Sequence, residues 1–177
     1  MAGTEAVLDL GCGRGLLLIG AARRLTSGRA TGLDLWNSED LTGNSAEATL
    51  ANAGREGVAD RVEVRTGDMR KMPFPDASFD VVVSNVAIHN IYDREGREAT
   101  MSEIARVLKP GGHVVIHDIR YVGDYAAALK RRGLTDVTSR RLQGRPRRAP
   151  ADHVRIAQAG RRDRTRRGGV IGRVGLA

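Results

Sequence analysis

Residues 5–15 of the chain are EAVLDLGCGRG, a short apolar run that ends in Asp-Leu and passes at once into a glycine-rich turn. Apolar runs of this length bounded by glycine are typical of buried strands, so we expect a strand over Glu5–Leu10. The next ten residues, Leu16–Leu25 (LLLIGAARRL), are good helix formers and predict a helix. The stretch therefore predicts a strand, a tight turn and a helix, the repeating unit of a sheet whose strands are connected by helices.

The same alternation continues along the chain. Strands are predicted at Ala30–Leu35, Arg61–Thr66, Phe79–Ser84, His113–Asp118 and Leu134–Arg140, and helices at Ser45–Ala53, Glu95–Leu108 and Gly123–Arg132. The β-branched run FDVVVS at Phe79–Ser84 predicts a strand buried on both faces, and Pro110, Gly111 and Gly112 are expected to stop the preceding helix. The predicted fold class is α/β, a three-layer α/β/α sandwich around a Rossmann-like, mostly parallel sheet.

The composition changes at Arg141. Residues 1–119 hold 13 Lys and Arg against 17 Asp and Glu, whereas residues 120–177 hold 16 against 4. Beyond Arg141 the chain is rich in Arg, Gly, Ala and Pro, although His153–Ala157 could form a strand. We expect one domain over residues 1–141 and a linker-like or partly disordered basic tail over 142–177. Nucleic-acid binding is expected only through that tail, because the remaining chain is mildly acidic.

Cysteine content and hydropathy limit the other classes of function. Cys12 is the single cysteine of the 177 residues, so neither an intrachain disulfide nor a zinc site built from cysteine pairs is expected. His113 and His117 share one strand face but lack a third ligand, and no metal site is predicted. The chain has no signal-like segment near its start and no apolar run of about 20 residues, so we predict a cytoplasmic location without a membrane span.

The glycine turn predicts a ligand site. In open α/β sheets ligands bind beyond the carboxyl ends of the strands, where Gly11, Gly13 and Gly15 lie, and the following helix directs free N–H groups at the turn. A dinucleotide turn has the pattern GxGxxG, but Leu16 occupies the third glycine position, which disfavours a nicotinamide cofactor. Asp9 precedes the turn and suits a cationic group. The combined polarity matches S-adenosylmethionine, which carries an ammonium, a sulfonium and a carboxylate.

Polar residues also follow the other predicted strands. Asp34 ends the second strand, 19 positions after Gly15 of the glycine turn. At this interval a carboxylate can bind both hydroxyls of a ribose. Asp68 follows the third strand and could accept a hydrogen bond from an adenine amino group. Asn85 follows the fourth strand, near the expected position of a transferred methyl group. Leu35 and Trp36 could cover one face of the adenine ring, and Trp36 could equally fill the core.

Four segments, in order, resemble the motifs of class I S-adenosylmethionine-dependent methyltransferases: VLDLGCGRG, TGLDL, VRTGDMRKMPFPDASFDVVVSN and EIARVLKPGGHVVIHD. The resemblance covers about Ala6 to Arg140 and is closest to the small-molecule enzymes that methylate ubiquinone and menaquinone precursors. It implies transfer of a methyl group from S-adenosylmethionine to an acceptor, expected to be a small molecule.

The resemblance also implies which residues contact the cofactor. They are Asp9, Gly11, Cys12, Gly13 and Gly15 for the methionine end, Asp34 and Leu35 for ribose and adenine, Asp68 and Met69 for adenine, and the backbone of Asn85 for the methionine portion. The chain departs from the family twice. About five residues precede the first strand where the family has helices, and the sixth strand has no convincing partner for the family's terminal hairpin. An edge left exposed in this way would favour homodimer formation.

A catalytic base is required only if the acceptor loses a proton. His89, in SNVAIHNIYD just after the fourth strand, is the candidate, with Tyr92 and His117 as weaker ones. The alternative for His89 is a structural hydrogen bond to a neighbouring group, and for Cys12 a packing role rather than a nucleophilic one. Two other functions stay open: a cofactor-binding remnant without activity, and a nucleic-acid-binding module that acts through the basic tail.

Overall fold

The computed structural model describes residues 2–37, 39–141 and 152–159, with side chains as far as Ser139. Its strands are β1 (Ala6–Leu10), β2 (Arg29–Asp34), β3 (Val62–Thr66), β4 (Phe79–Asn85), β5 (Leu108–Asp118), β6 (Leu134–Thr135), β7 (Thr138–Arg141) and β8 (Asp152–Ala159). The helices are α1 (Leu16–Ala22), α2 (Ala46–Arg55), α3 (Arg94–Val107) and α4 (Val122–Arg131), with short 3₁₀ turns at Ala59–Arg61 and Ile88–Asn90.

Local chemistry sets the ends of the helices. Ser45 caps α2 by accepting a hydrogen bond from the Ala48 N–H (3.1 Å). Asp93 caps α3 in the same way. Helix α1 follows Gly15, whose φ of 92° is a left-handed conformation that glycine adopts without strain. These caps lie at the ends of the loops that leave the strands, so they also fix where those loops run.

The strands of the described residues form one sheet in the order β3-β2-β1-β4-β5-β8-β6, with β7 also paired to β8. Strands β1 to β5 are parallel, and β8 is antiparallel to β5, β6 and β7. Helices α1 and α2 cover one face and α3 and α4 the other, over two apolar clusters. Because alternate strand residues face opposite ways, Val7 lies in the cluster under α1 and α2, and Leu8 lies in the cluster under α3 and α4. The predicted three-layer α/β/α fold is confirmed.

Three predicted elements differ in detail. Strand β5 begins at Leu108, directly after α3, so Pro110, Gly111 and Gly112 lie within the bounds of the strand, where Gly111 has a φ of 81°. The last predicted strand is divided into β6 and β7 because Asp136 has a φ of 56°, which interrupts extended backbone. In β4, Val81 and Val83 are only half-buried, so the prediction of burial on both faces is wrong for this strand.

Strand β8 corrects a further expectation. The strand suggested at His153–Ala157 forms over Asp152–Ala159 and pairs with the last residues of β5 and with β6 and β7. The last predicted strand therefore has an antiparallel partner, and the expectation that it had none is wrong. The reason is tertiary, because β5 offers a row of backbone donors and acceptors that a strand from within the Arg-rich segment can satisfy. Residues 142–151 and 160–177 of the predicted tail lie outside the described residues.

No helix among the described residues is long and apolar enough to cross a membrane. Over the same residues, no cluster of three or more His, Cys, Asp or Glu side chains is placed to hold a metal ion.

Candidate active site

A cavity of about 1310 Å³ opens at the carboxyl ends of β1 to β4. Its wall contains all ten residues that the sequence predicts to contact a cofactor: Asp9, Gly11, Cys12, Gly13, Gly15, Asp34, Leu35, Asp68, Met69 and Asn85. These residues come from four separate segments, and the parallel topology brings them to one edge of the sheet. Their individual contacts with a cofactor remain predictions.

The glycine turn after β1 has a backbone that other residues could not adopt without strain. Gly11 and Gly13 have φ values of 67° and 52°. The Gly11 N–H donates to the Leu33 carbonyl (2.8 Å), which ties the turn to β2. A Cβ atom on Gly11 would lie 2.3 Å from the Cβ of Ala87, in the segment after β4. The absence of a side chain therefore brings two walls of the cavity into contact.

The Asp34 carboxylate, at the end of β2, holds the turn from a second direction. Its Oδ2 atom accepts a hydrogen bond from the Gly13 N–H (2.8 Å). Its Oδ1 atom accepts from the Trp36 N–H (2.7 Å) and from Nδ2 of Asn44 (3.2 Å). The carboxylate is nearly buried but lines the cavity. It can bind a ligand and fix the glycine turn at the same time.

Helix α2 supports the outer side of the turn. Thr49 is fully buried, and its Oγ1 atom donates to the Gly13 carbonyl (2.6 Å). The Nδ2 group of Asn52 donates to the Arg14 carbonyl (3.0 Å). These two hydrogen bonds tie the carbonyl groups of Gly13 and Arg14 to α2.

Replacing Thr49 by valine tests this support. The variant keeps the side-chain shape but removes the donor of the part-buried hydrogen bond to the Gly13 carbonyl, which costs about 0.5–1.5 kcal/mol of unfolding free energy. Urea denaturation measures the change. Thr100→Val is the matched control, because the equally buried Thr100 hydroxyl donates only to the Gly96 carbonyl of its own helix. Equal losses in the two variants would contradict a special role for the bond to the turn.

Burial determines the protonation of two residues beside the turn. Asp9 is 2% exposed, and burial raises its pKa to about 7, aided by the nearby Asp34 carboxylate and opposed by a hydrogen bond from the Leu18 N–H. Burial, together with the Asp9 and Asp34 carboxylates, also raises the pKa of the Cys12 thiol. A thiol that keeps its proton is a poor nucleophile, which supports the packing role of Cys12.

The predicted adenine end of the cavity contains a carboxylate that is already paired. Arg70 holds both Asp68 oxygens, with Nε at 2.8 Å and an Nη atom at 2.7 Å from Oδ2, and this hydrogen bonding lowers the pKa of Asp68. Leu35 is exposed and lines the wall. Trp36 does not line it; its Nε1 donates to the Thr66 hydroxyl (2.8 Å) and its ring packs beside the core. Of the two interpretations of Trp36, the structure favours core filling.

The segment after β4 forms the opposite wall. Asn85, Val86 and Ala87 line the cavity, and the Asn85 Oδ1 atom lies 2.7 Å from Nδ1 of His117. Val86 has a φ of 52°, a strained conformation for a β-branched residue that is typical of functional loops. The Val86 N–H donates to the His117 carbonyl (2.7 Å). Contacts with the end of β5 therefore hold this wall.

His89 does not line the cavity, although its neighbours Ala87 and Asn90 do. Its Nδ1 atom lies 2.6 Å from Oδ1 of Asp118, and its backbone N–H donates to Oδ2 of the same carboxylate (3.0 Å). Asp118 is completely buried at the end of β5. Two contacts to one buried carboxylate favour the structural alternative, in which His89 anchors the wall from behind.

The cavity wall carries more acid than base. Among the residues that the structure describes, seven carboxylates line it, namely Asp9, Asp34, Glu39, Asp40, Glu56, Asp68 and Asp93, against the four arginines Arg14, Arg23, Arg55 and Arg70. A negative cavity attracts a cationic ligand and repels an anionic one.

A family model described as a methyltransferase domain matches residues 8–116. The chain belongs to this family of methyltransferases. The predicted class I S-adenosylmethionine-dependent methyltransferase is thus confirmed at the level of the family, with S-adenosylmethionine as its cofactor. The methyltransferase fold is also that of an S-adenosylmethionine-dependent methyltransferase from Methanosarcina mazei, with a TM-score of 0.73 and 18% identity over 90% of this chain and 94% of that one.

Two curated relatives are small-molecule enzymes by name. A sterol 4-C-methyltransferase of Caenorhabditis elegans is 34% identical over 67% of this chain and 32% of its own length. A demethylmenaquinone methyltransferase of Lactiplantibacillus plantarum is 34% identical over 65% of this chain and 45% of its own length. The matched part of this methyltransferase thus spans about a third to a half of these relatives.

Three polar residues that hold the glycine turn and Asp34 were not predicted from the sequence. They are Asn44, Thr49 and Asn52, on α2 and the turn before it. Thr49 and Asn52 are three residues apart, so they share a helix face, and this pair of polar residues on one face of α2 was the available signal. Asn44 lies in the connection between β2 and α2, which has no sequence periodicity, so no pattern in the sequence pointed to this residue.

Proposed function

We propose that this chain binds S-adenosylmethionine in the cavity and transfers its methyl group to a small, uncharged, apolar acceptor. The observation that carries the proposal is the placement of residues from the first three of the four methyltransferase-like segments around one acidic cavity. The end of the fourth segment, at His117 and Asp118, holds the wall after β4. The family match and the relatives' names support it.

The residues present fit this cofactor. The glycine turn leaves room where a Cβ atom would meet Ala87. The excess of carboxylates suits an ammonium and a sulfonium. The Oδ1 atom of Asn44 is a buried acceptor without a donor among the described residues, close to the carboxylate predicted to bind ribose. Each feature matches a different portion of the cofactor.

The cofactor supplies an activated methyl group on a positively charged sulfur, so the work of the chain is to bind, orient and exclude water. The glycine turn and Asp9 hold the amino-acid end, and Asp34 holds the ribose. The wall from Asn85 to Ala87 separates this end from the space left for the acceptor. In this scheme His89 anchors the wall, and its predicted role as a proton acceptor applies only to an acceptor that must be deprotonated.

The class of acceptor is inferred from the rim of the cavity. Of the nine large apolar side chains exposed on the described surface, five line the cavity: Leu16, Leu35, Leu41, Val86 and Tyr92. An exposed apolar patch beside a ligand cavity marks a binding surface. An apolar rim on an acidic cavity favours a neutral hydrophobic acceptor over a nucleotide.

Calorimetric titration of the purified chain with S-adenosylmethionine and S-adenosylhomocysteine tests the proposal. We expect micromolar binding that Asp34→Ala abolishes, because the variant loses both the predicted ribose contact and the bond to Gly13. Asp60→Ala, an exposed carboxylate outside the cavity, should bind as the unmodified chain does. A folded chain that binds neither compound would contradict the proposal and favour the inactive remnant.

A cytoplasmic location and homodimer formation are further parts of the proposal, whereas nucleic-acid binding is not expected except through residues 142–177. The buried free thiol of Cys12 suits a reducing compartment. Sedimentation tests the dimer. Deletion of residues 160–177, which leaves β8 in place, tests the tail, since nucleic-acid binding that survived the deletion would exclude it.

A further inference from the structure

Asn44 lies in the connection between β2 and α2, on the wall of the cavity. Its Nδ2 group donates to Oδ1 of Asp34 (3.2 Å). An ionised carboxylate only accepts hydrogen bonds, so the amide nitrogen must face Asp34 and the amide oxygen must face away from it. That oxygen, Oδ1, is buried and has no hydrogen-bond partner within the part of the chain that the structure describes.

A buried acceptor without a donor costs about 1–3 kcal/mol, and such groups in native proteins call for an explanation. At the wall of a ligand cavity, the simplest explanation is a donor supplied by the ligand. Neither the hydrogen bond between the Asn44 N–H and the Leu41 carbonyl nor the amide contact with Asp34 satisfies this oxygen.

The neighbouring carboxylate offers a second acceptor. Each carboxylate oxygen can accept about two hydrogen bonds. Oδ1 of Asp34 already accepts two, from the Trp36 N–H and from Asn44, whereas Oδ2 accepts one, from the Gly13 N–H. The pair of residues thus has two acceptor positions that no donor among the described residues uses, one on Asp34 Oδ2 and one on Asn44 Oδ1. A vicinal diol carries two O–H donors.

We propose that Asn44 is a second ribose-binding residue, which accepts one hydroxyl of the cofactor's diol while Asp34 accepts the other. The inference rests on the proposed function and adds a residue to its site. Because Oδ1 of Asn44 is enclosed in the free chain, the diol reaches it only when the turn at residues 39–44 shifts. Cofactor binding should therefore change amide hydrogen exchange in this turn.

The test compares S-adenosylhomocysteine with its 2′-deoxy and 3′-deoxy analogues by calorimetry. For the unmodified chain we expect one analogue to bind about tenfold more weakly than S-adenosylhomocysteine, because it lacks the hydroxyl that Asn44 accepts. A tenfold loss of affinity corresponds to one neutral hydrogen bond. In Asn44→Ala that loss should fall below about twofold, since the partner of the missing hydroxyl is gone. Asn44→Leu, which keeps the volume, should behave in the same way and guards against a packing defect.

Asn37→Ala is the matched control. Asn37 lines the same cavity, but its Oδ1 already accepts the Glu39 N–H (3.1 Å), so the variant should keep the full discrimination. If both Asn44 variants bind S-adenosylhomocysteine and still discriminate against both analogues as the unmodified chain does, the role of Asn44 is disproved while the cofactor site stands. If the unmodified, folded chain binds none of the three compounds, the proposed function itself fails.

Discussion

Asp9→Asn is expected to stabilise the free protein by about 4 kcal/mol at pH 8 while it weakens cofactor binding. Burial raises the pKa of the Asp9 carboxyl from 3.8 to about 7 in the folded chain. A difference of this size between the folded and unfolded states corresponds to about 4 kcal/mol of linked free energy. In the proposed function, the wild-type chain carries this cost because the buried Asp9 carboxylate would face the ammonium group of the cofactor.

The sign of the pH dependence follows from the direction of the shift. Below pH 3.8 the carboxyl is protonated in both states and costs nothing. Between that value and about pH 7 the unfolded chain ionises first, so the stability of the wild-type protein falls as the pH rises, and above pH 7 the loss is constant. The asparagine variant lacks this dependence, and the gap between the two proteins should widen from pH 4.5 to pH 8.

Urea denaturation at the two pH values measures the gap. Asp80→Asn is the control with the opposite sign, because the Asp80 carboxylate pairs with Lys109 (2.8 Å) and accepts the Ala6 N–H, and its pKa is lowered. That variant should be less stable than wild type at pH 8, and the difference should shrink in acid. An Asp9→Asn variant that is no more stable than wild type at pH 8 would show that Asp9 is ionised at little cost.

Binding of the cofactor should be coupled to Asp9 in the same pH range. An ammonium group near Asp9 favours the ionised form, so we expect the affinity for S-adenosylhomocysteine to rise with pH up to about 7, with release of a proton. Titrations in buffers of different ionisation enthalpy detect that proton. In Asp9→Asn the proton release should disappear.

The second large effect is expected for Gly11→Ala, with a loss of about 2–5 kcal/mol in unfolding free energy. A left-handed conformation costs a non-glycine residue about 1–2 kcal/mol. The new methyl group would also lie 2.3 Å from the Cβ of Ala87, and overpacking of this kind costs about 1–3 kcal/mol. The two walls would have to separate, so cofactor affinity should fall as well.

Gly57→Ala separates the two causes. Gly57 has the same φ of 67°, but a Cβ atom there would meet nothing within 4 Å. The control should therefore lose only the conformational part. The double variant Gly11→Ala, Ala87→Gly should recover much of the remainder. Equal losses for Gly11→Ala and Gly57→Ala would contradict close packing of the two walls.

The sequence by itself determined the alternation of strands and helices, and with it the edge of the sheet at which ligands bind. Asp34 and Asp68 could be placed at the site because side chains that follow parallel strands meet at one edge whatever the packing of the helices. Glycine spacing alone disfavoured a dinucleotide turn. These inferences depend on local patterns and on one general property of parallel sheets.

Only the tertiary structure decided the remaining features, because they depend on contacts between distant segments. Strand β8 forms because β5 offers it a partner, although the Arg-rich sequence around it resembles a tail. His89 lies behind the cavity wall because the buried Asp118 carboxylate binds it at two points. Asn44 reaches Asp34 because the turn before α2 folds back on β2. Sequence periodicity specifies which face of an element is buried, but the partner of a buried polar atom is determined only when the elements pack together.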